Sequence, residues 1–104
     1  MGSYSVRCLF RWHSRAEQVA KYLYEERITL WQAERLDQAI ELAEQEAAAY
    51  AGDADEFLGF SQAYALVDPV AGHGVEIFSL LRESDLEPNE YIDAFFDTGG
   101  EREQ

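Results

Sequence analysis

Residues 22–52, YLYEERITLWQAERLDQAIELAEQEAAAYAG, decide the fold, because their periodicity changes from two to nearly four within one short segment. From Tyr22 to Gln32 the pattern is that of a strand, in which successive side chains point to opposite faces. Tyr22, Tyr24, Glu26, Ile28 and Leu30 share one side; Leu23, Glu25, Arg27, Thr29 and Trp31 share the other. The first set reads as the core side, and it carries Glu26 inward with it. From Leu36 the apolar residues recur at three and four: Leu36, Ala39, Ile40, Ala43, Ala47 and Tyr50. That spacing predicts an amphipathic helix over 36–51. Asp37 and Glu41 lie near its positive end, and Gly52 follows as a C-terminal cap. Its small alanines allow close approach to a sheet.

Working outward, Tyr4, Val6, Cys8, Phe10 and Trp12 alternate with Ser5, Arg7, Leu9 and Arg11, predicting a first strand over 4–12. Its aromatic side should meet the core, leaving Arg7 and Arg11 to solvent or a partner. Ser14 and Glu17 match a capping box, so His13 to Lys21 reads as a helical turn or a hairpin loop. Glu56 to Asp68 predicts a third strand, bent at Gly59. Asp68 to Gly74 is turn chemistry, and Val75 to Arg82 predicts a fourth strand forming a hairpin with the third. That strand is apolar on both sides, as in a strand covered twice or lying at an oligomer interface. Pro88 to Phe96 predicts a short last helix. The expected architecture is α+β: a four-stranded, mainly antiparallel sheet in β-β-α-β-β-α order, with one long helix on one face. All 104 residues form one domain in this reading, with a core over 4–97 and a flexible acidic tail over 98–104.

Composition bounds the function. The formal net charge is −13. Residues 1–32 carry five Lys and Arg against three acids, whereas residues 33–104 carry three against eighteen. Such a field opposes nucleic acid and anionic lipid, whose binding requires cationic groups, and it attracts a basic protein surface. No apolar run is long enough to span a bilayer, and the chain opens on no signal-peptide pattern, so the expected location is cytoplasmic. Cys8 is the lone cysteine, and with His13 and His73 it makes no metal-ligand spacing. No nucleophile elbow or phosphate-binding glycine loop occurs. The expectation is no metal, no cofactor and no enzyme.

The residues that follow the strand resemble a family. Tyr24-Glu25-Glu26-Arg27-Ile28-x-Leu30, then Ala33-Glu34 and Ala39-Ile40-x-x-Ala43-Glu44, is similar to the bacterial domain-of-unknown-function family number 4288. Tyr4-Ser5-Val6 and Glu76-Ile77-Phe78-Ser79 resemble that family's first and last strands. The resemblance covers about residues 4–82, sparing 13–21 and everything beyond Arg82. It implies a unified fold and carries no established activity.

Candidate binding residues are Tyr24, Glu26, Arg27, Trp31, Arg7, Arg11 and Phe78. A carboxylate on a core face must be paired or hydrogen-bonded. Glu26 therefore reads either as a ligand-binding or acid–base group, or as the structural partner of Arg7, Arg11 or Arg35. Glu25 and Arg27 read as a solvated set. Trp31 and Phe78 lie off the inferred core, with Arg27 and Leu80 as companions, and aromatic and arginine side chains supply most interface hot spots. The reading that follows is a small non-enzymatic protein-binding module and homodimer, in its most concrete form an inhibitor or immunity-type protein for a basic partner. One alternative is a small-molecule-binding protein or minor enzyme with a cleft around Tyr24, Glu26 and Arg27 or Arg11. Another is an accessory subunit of a larger complex, docking through residues 86–96.

Overall fold

A computed structural model describes residues 1–13, 18–52, 55–68 and 70–95. Two long strands, β1 (Gly2–Trp12) and β2 (Tyr22–Ala33), pair antiparallel from Gly2 opposite Ala33 to Trp12 opposite Leu23. The proposed capping box of Ser14 and Glu17 falls outside the described residues. After β2 comes α1 (Leu36–Ala51), then β3 (Glu56–Ala65), β4 (Val75–Ser84) and α2 (Pro88–Phe95). β3 adds to the outer side of β1 and β4 to the outer side of β2, giving the order β3-β1-β2-β4 with all neighbours antiparallel.

The third and fourth strands are therefore not a hairpin. They are the two opposite edges of the sheet, and the segment after β3 crosses the sheet's end to reach β4. Its anchors are on the central strands. Leu66 N–H donates to the Ser3 carbonyl at 2.9 Å, the Gln32 amide donates to the carbonyls of Val70 and Gly72, and Gly74 N–H donates to the Leu30 carbonyl at 2.7 Å. Turn residues alone mark where a strand stops, whereas these long-range anchors decide where the next one pairs.

Helix α1 lies on the face made by even residues of β1 and odd residues of β2. Ala39, Ala43, Ala47 and Ala51 are buried there with Val6, Cys8, Phe10, Trp31 and Ala33. Four alanines at every fourth position keep the helix close to the sheet, as methyl-sized side chains permit. The buried stripe is narrower than the sequence pattern, since Leu36 and Tyr50 stay partly exposed. At its end Gly52 takes φ +63° and its N–H reaches the Ala48 carbonyl at 3.3 Å, a backbone state that strains other residues.

This placement reverses the expected sidedness of β2. Cross-strand partners share a face, so Tyr4, Val6, Cys8 and Phe10 bring Trp31, Thr29, Arg27 and Glu25 beneath α1. The set with Tyr24, Glu26, Ile28 and Leu30 occupies the second face. Sequence alternation separates the two sets but cannot tell which one a helix will cover when both are half apolar. The second face has its own smaller core, in which Leu9, Tyr24 and Tyr91 are buried and Tyr22, Leu58, Phe60, Leu86 and Ile92 pack around them. Tyr91 of α2 stacks on Tyr24 with ring centroids 3.9 Å apart.

Candidate docking surface

Beneath α1 the polar side chains are closed on one another. Glu25, 2 % exposed, accepts from Trp12 Nε1–H at 2.8 Å, from the Tyr50 hydroxyl at 3.0 Å and from the Ser79 hydroxyl. Arg27 donates to Glu46 at 2.6 Å and to Glu76 at 2.7 Å, and its guanidinium carbon lies 3.7 Å from the Tyr50 ring centroid. Burial opposes the charge on Arg27, but the hydrogen bonds and charges of Glu46 and Glu76 outweigh it and hold the side chain more firmly protonated. Tyr50 is pushed up to about 12, by burial first and then by its bond to Glu25. Burial likewise pushes the Cys8 thiol up to about 12, with the charges of Glu44 and Glu46 adding to it. The Trp31 indole donates to Thr29 Oγ1 at 2.6 Å. Glu25 and Arg27 are thus not a solvated set, and Trp31 lies in the core, out of a partner's reach. Each acquired a cover that the strand pattern alone did not reveal.

On the second face Glu26 lies between two arginines, Arg7 Nη1 at 3.5 Å and Arg82 Nη2 at 3.6 Å. Arg7 also donates to Gln62 Oε1 through Nε at 3.1 Å and through Nη2. Arg82 rests over the Phe95 ring, 4.3 Å from its centroid. Of the three arginines offered for Glu26, Arg7 is there and Arg82 joins it, whereas Arg11 reaches Glu56 at 2.5 Å and the Tyr22 ring, and Arg35 pairs with Asp37. Tyr24 is fully buried and donates to the Leu86 carbonyl at 2.6 Å; burial pushes its hydroxyl up to about 12. Arg27 stands on the opposite face from Tyr24 and Glu26, so the cleft combining these three does not form. Arg82 escaped the sequence reading because only the register places it opposite Tyr24, one rung from Glu26.

The imidazoles serve the fold. His13 Nδ1 lies 2.9 Å from Asp55 Oδ1, and His73 Nδ1 accepts from Gln32 N–H at 3.1 Å. Among the described residues no three His, Cys, Asp or Glu side chains gather as a metal cage would require.

What remains open is β4. Val75, Ile77, Phe78, Leu80 and Leu81 are 37–53 % exposed, on both faces of an edge strand. Of the seven residues singled out in the sequence, Phe78 is the one that stands in such a surface. Its neighbours Leu80, Leu81 and Ile77 were legible only as a strand apolar on both sides. Elsewhere on the described surface exposed acids outnumber exposed cations, with Glu34, Asp37 and Glu41 before and along α1, beside the exposed Arg35, and Asp85, Glu87 and Glu90 before and within α2. No helix among the described residues is long and apolar enough to cross a membrane. Compared with protein-family models, with curated proteins and with solved structures, the chain matches none.

Proposed function

We propose that this chain is a small acidic protein-binding module without a catalytic role, an inhibitor or immunity-type protein that meets a basic partner and also self-associates. The observation that carries this reading is the exposed apolar row of β4, on a chain whose net charge is −13. Isolated exposed apolar residues are ordinary, but five on one ten-residue edge strand form a continuous patch of the kind that marks interaction sites. The acidic field supplies the complementary term, because it speeds encounter with a basic surface and disfavours an acidic one. A cytoplasmic location and kinship with the domain-of-unknown-function family number 4288 belong to the same proposal.

The test is capture of host proteins on the immobilised chain across ionic strength, with an Asp37→Asn, Glu41→Gln variant in parallel. A basic protein retained at low salt, released at high salt and held less by the variant is the expected result. Retention that ignores both salt and the variant removes the electrostatic part, and no specific retention overturns the reading.

One observation favours a second reading, a binding site for a small anion: two partly exposed guanidiniums, Arg7 and Arg82, flank the single carboxylate of Glu26. Glu26→Gln should then alter ligand affinity with the fold intact. The accessory-subunit reading, which needs residues 86–96 for docking, is disfavoured by the burial of Tyr91 and by the Tyr24 hydroxyl bond to Leu86, both of which tie that segment into the fold.

A further inference from the structure

Resting on the protein-binding reading, we infer that β4 is the surface through which two copies of this chain associate, antiparallel and edge to edge, so that their sheets become continuous. An edge strand presents unpaired backbone N–H and C=O groups, and soluble proteins blunt such edges with lysines, prolines, outward charges, bulges or a covering element. β4 has few of these defences. It runs ten residues without proline or lysine, and β2 is its one extensive neighbour among the described elements. Its charged side chains are turned to its own fold. Glu76 accepts from Arg27 at 2.7 Å, Arg82 reaches Glu26 and Phe95, and Glu83 accepts the Val19 and Ala20 N–H groups at 2.8 Å. The other edge, β3, is irregular at Gly59 (φ +76°), shifts register against β1 and has α1 packed across it.

The strand is also complementary to itself. Its one register shift against β2 falls at Glu76–Phe78, leaving Phe78–Arg82 to pair with β2 residue for residue. Paired about Leu80, a second copy sets Leu80 against Leu80, Ser79 against Leu81 and Phe78 against Arg82, each pair on one face of the joined sheet. The last pair puts a guanidinium beside an aromatic ring, the contact Arg82 already makes with Phe95. At roughly 150–250 Å² for a whole large side chain, the exposed fractions of the five apolar residues sum to on the order of 450 Å² per copy. Edge-to-edge pairing covers only part of those side chains, so even with the two backbones the pair stays at or below the ~1,200 Å² lower end of specific interfaces, which describes a weak dimer that dissociates on dilution.

Charge decides the occupant. Of the two acids on this strand Glu76 is held by Arg27 and Glu83 by two backbone N–H groups, so a basic partner finds little acid along the row, whereas a second copy meets an apolar stripe like its own. The remainder of each copy is strongly negative, at −13 per chain. Salt should therefore strengthen self-association by screening that repulsion, while it weakens capture of a basic partner. The two associations move in opposite directions with ionic strength, which separates failure of this inference from failure of the broader reading.

The experiment is sedimentation of the intact chain over a dilution series at low and high ionic strength. A monomer–dimer equilibrium that tightens with salt is expected, and Leu80→Lys should weaken it about tenfold or more while the unfolding midpoint stays in place. Should that variant fold poorly, Leu80→Cys decides independently. Paired Cα atoms on antiparallel strands lie ~4.5–5.5 Å apart, within disulfide reach, so mild oxidation should yield a covalent dimer. Cys8 is buried and should not compete. Tyr64→Cys, at the exposed β3 edge, should yield little. A chain monomeric at every concentration and salt, or equal cross-linking through Tyr64→Cys, overturns the inference, even where a basic partner is still captured.

Discussion

Glu25 and Glu26 are neighbours in sequence and identical in chemistry, yet they lie on opposite faces of one strand and meet opposite environments. Glu25 is enclosed by α1 and β4 and accepts from three uncharged donors. Glu26, also buried, lies under no long helix and is held between two cations at 3.5 and 3.6 Å whose side chains are about a quarter and a third exposed. The difference shows how this small sheet divides its labour. The α1 face is a sealed core that admits charge only where every lone pair has a partner, as burial demands. The second face is half covered, its charges screened and its apolar surface left available toward β4.

The largest effect should come from uncovering the second face altogether. Tyr91 is the buried residue of α2, stacked on Tyr24 and 4.8 Å from the Phe95 ring centroid. Tyr91→Ala removes an aromatic side chain from a core with few other members and should cost about 3–5 kcal/mol. Urea unfolding measures the loss, and near-ultraviolet circular dichroism should report the freed Tyr24. If stability barely changes, α2 is not a cover and the asymmetry between the faces is greater than described.

Next in size is Glu25→Ala, which leaves the Trp12 indole, the Tyr50 hydroxyl and the Ser79 hydroxyl without their shared acceptor. Hydrogen bonds to a charged group contribute about 1.5–3 kcal/mol each, and partial relaxation toward water should leave a net loss of about 2–4 kcal/mol. Unfolding in urea reads the total, and a double-mutant cycle with Tyr50→Phe isolates one bond. A loss under about 1 kcal/mol would mean that Glu25 behaves as a surface carboxylate and that the α1 face is not sealed.

How far the sequence anticipated this contrast depends on the range of the interaction. The helix over 36–51 and the strand over 22–32 were legible because their signals are local: the alanine spacing, the alternation and the glycine after the last turn. The α+β class and the antiparallel four-stranded sheet followed. What failed was non-local. The hairpin expected between the last two strands required knowing that the β1–β2 pair occupies the centre and leaves only its two outer sides. The sidedness of β2 required knowing that Trp31 and Arg27 lie across from Tyr4 and Cys8, a register no local pattern encodes. For the same reason Arg7 could be named for Glu26 and Arg82 could not. Phe78 was legible as part of a strand apolar on both sides, a signal that needs no register but leaves open whether the strand is covered twice or lies at an interface.

Alkaline pH should act chiefly on two phenols, Tyr24 and Tyr50, and on the Cys8 thiol. Cys8 rises from an ordinary 9.0 to about 12, and Tyr24 and Tyr50 from 10.0 to about 12, burial being the first cause in each. Between the ordinary and raised values the unfolded chain loses these protons while the folded chain keeps them. The unfolded state then binds fewer protons, and stability falls as pH rises. The part these three groups contribute should be constant below about pH 9 and decline between about 9 and 12. Cys8 should resist alkylation in the folded protein across that range and react on unfolding. Early reaction of the thiol would place the opening on the α1 face, whereas absorbance of ionised tyrosine without thiol reaction would place it around Tyr24.

The smallest effect tests the other half of the contrast. Glu26→Gln keeps the shape and one acceptor oxygen but removes the charge that Arg7 and Arg82 share. Both ion pairs are long and both arginine side chains are partly exposed, but Glu26 itself is buried, so the loss should fall between that of a surface pair and a buried one, about 1–2 kcal/mol. Arg7 retains Gln62, and Arg82 retains the Phe95 ring, so neither cation is stranded. A stability change of that size, beside the larger loss from Glu25→Ala, would establish that two adjacent glutamates differ because of the face they occupy. A loss as great as that of Glu25→Ala would show the second face to be as closed as the first, and the open surface running to β4 would have to be redrawn.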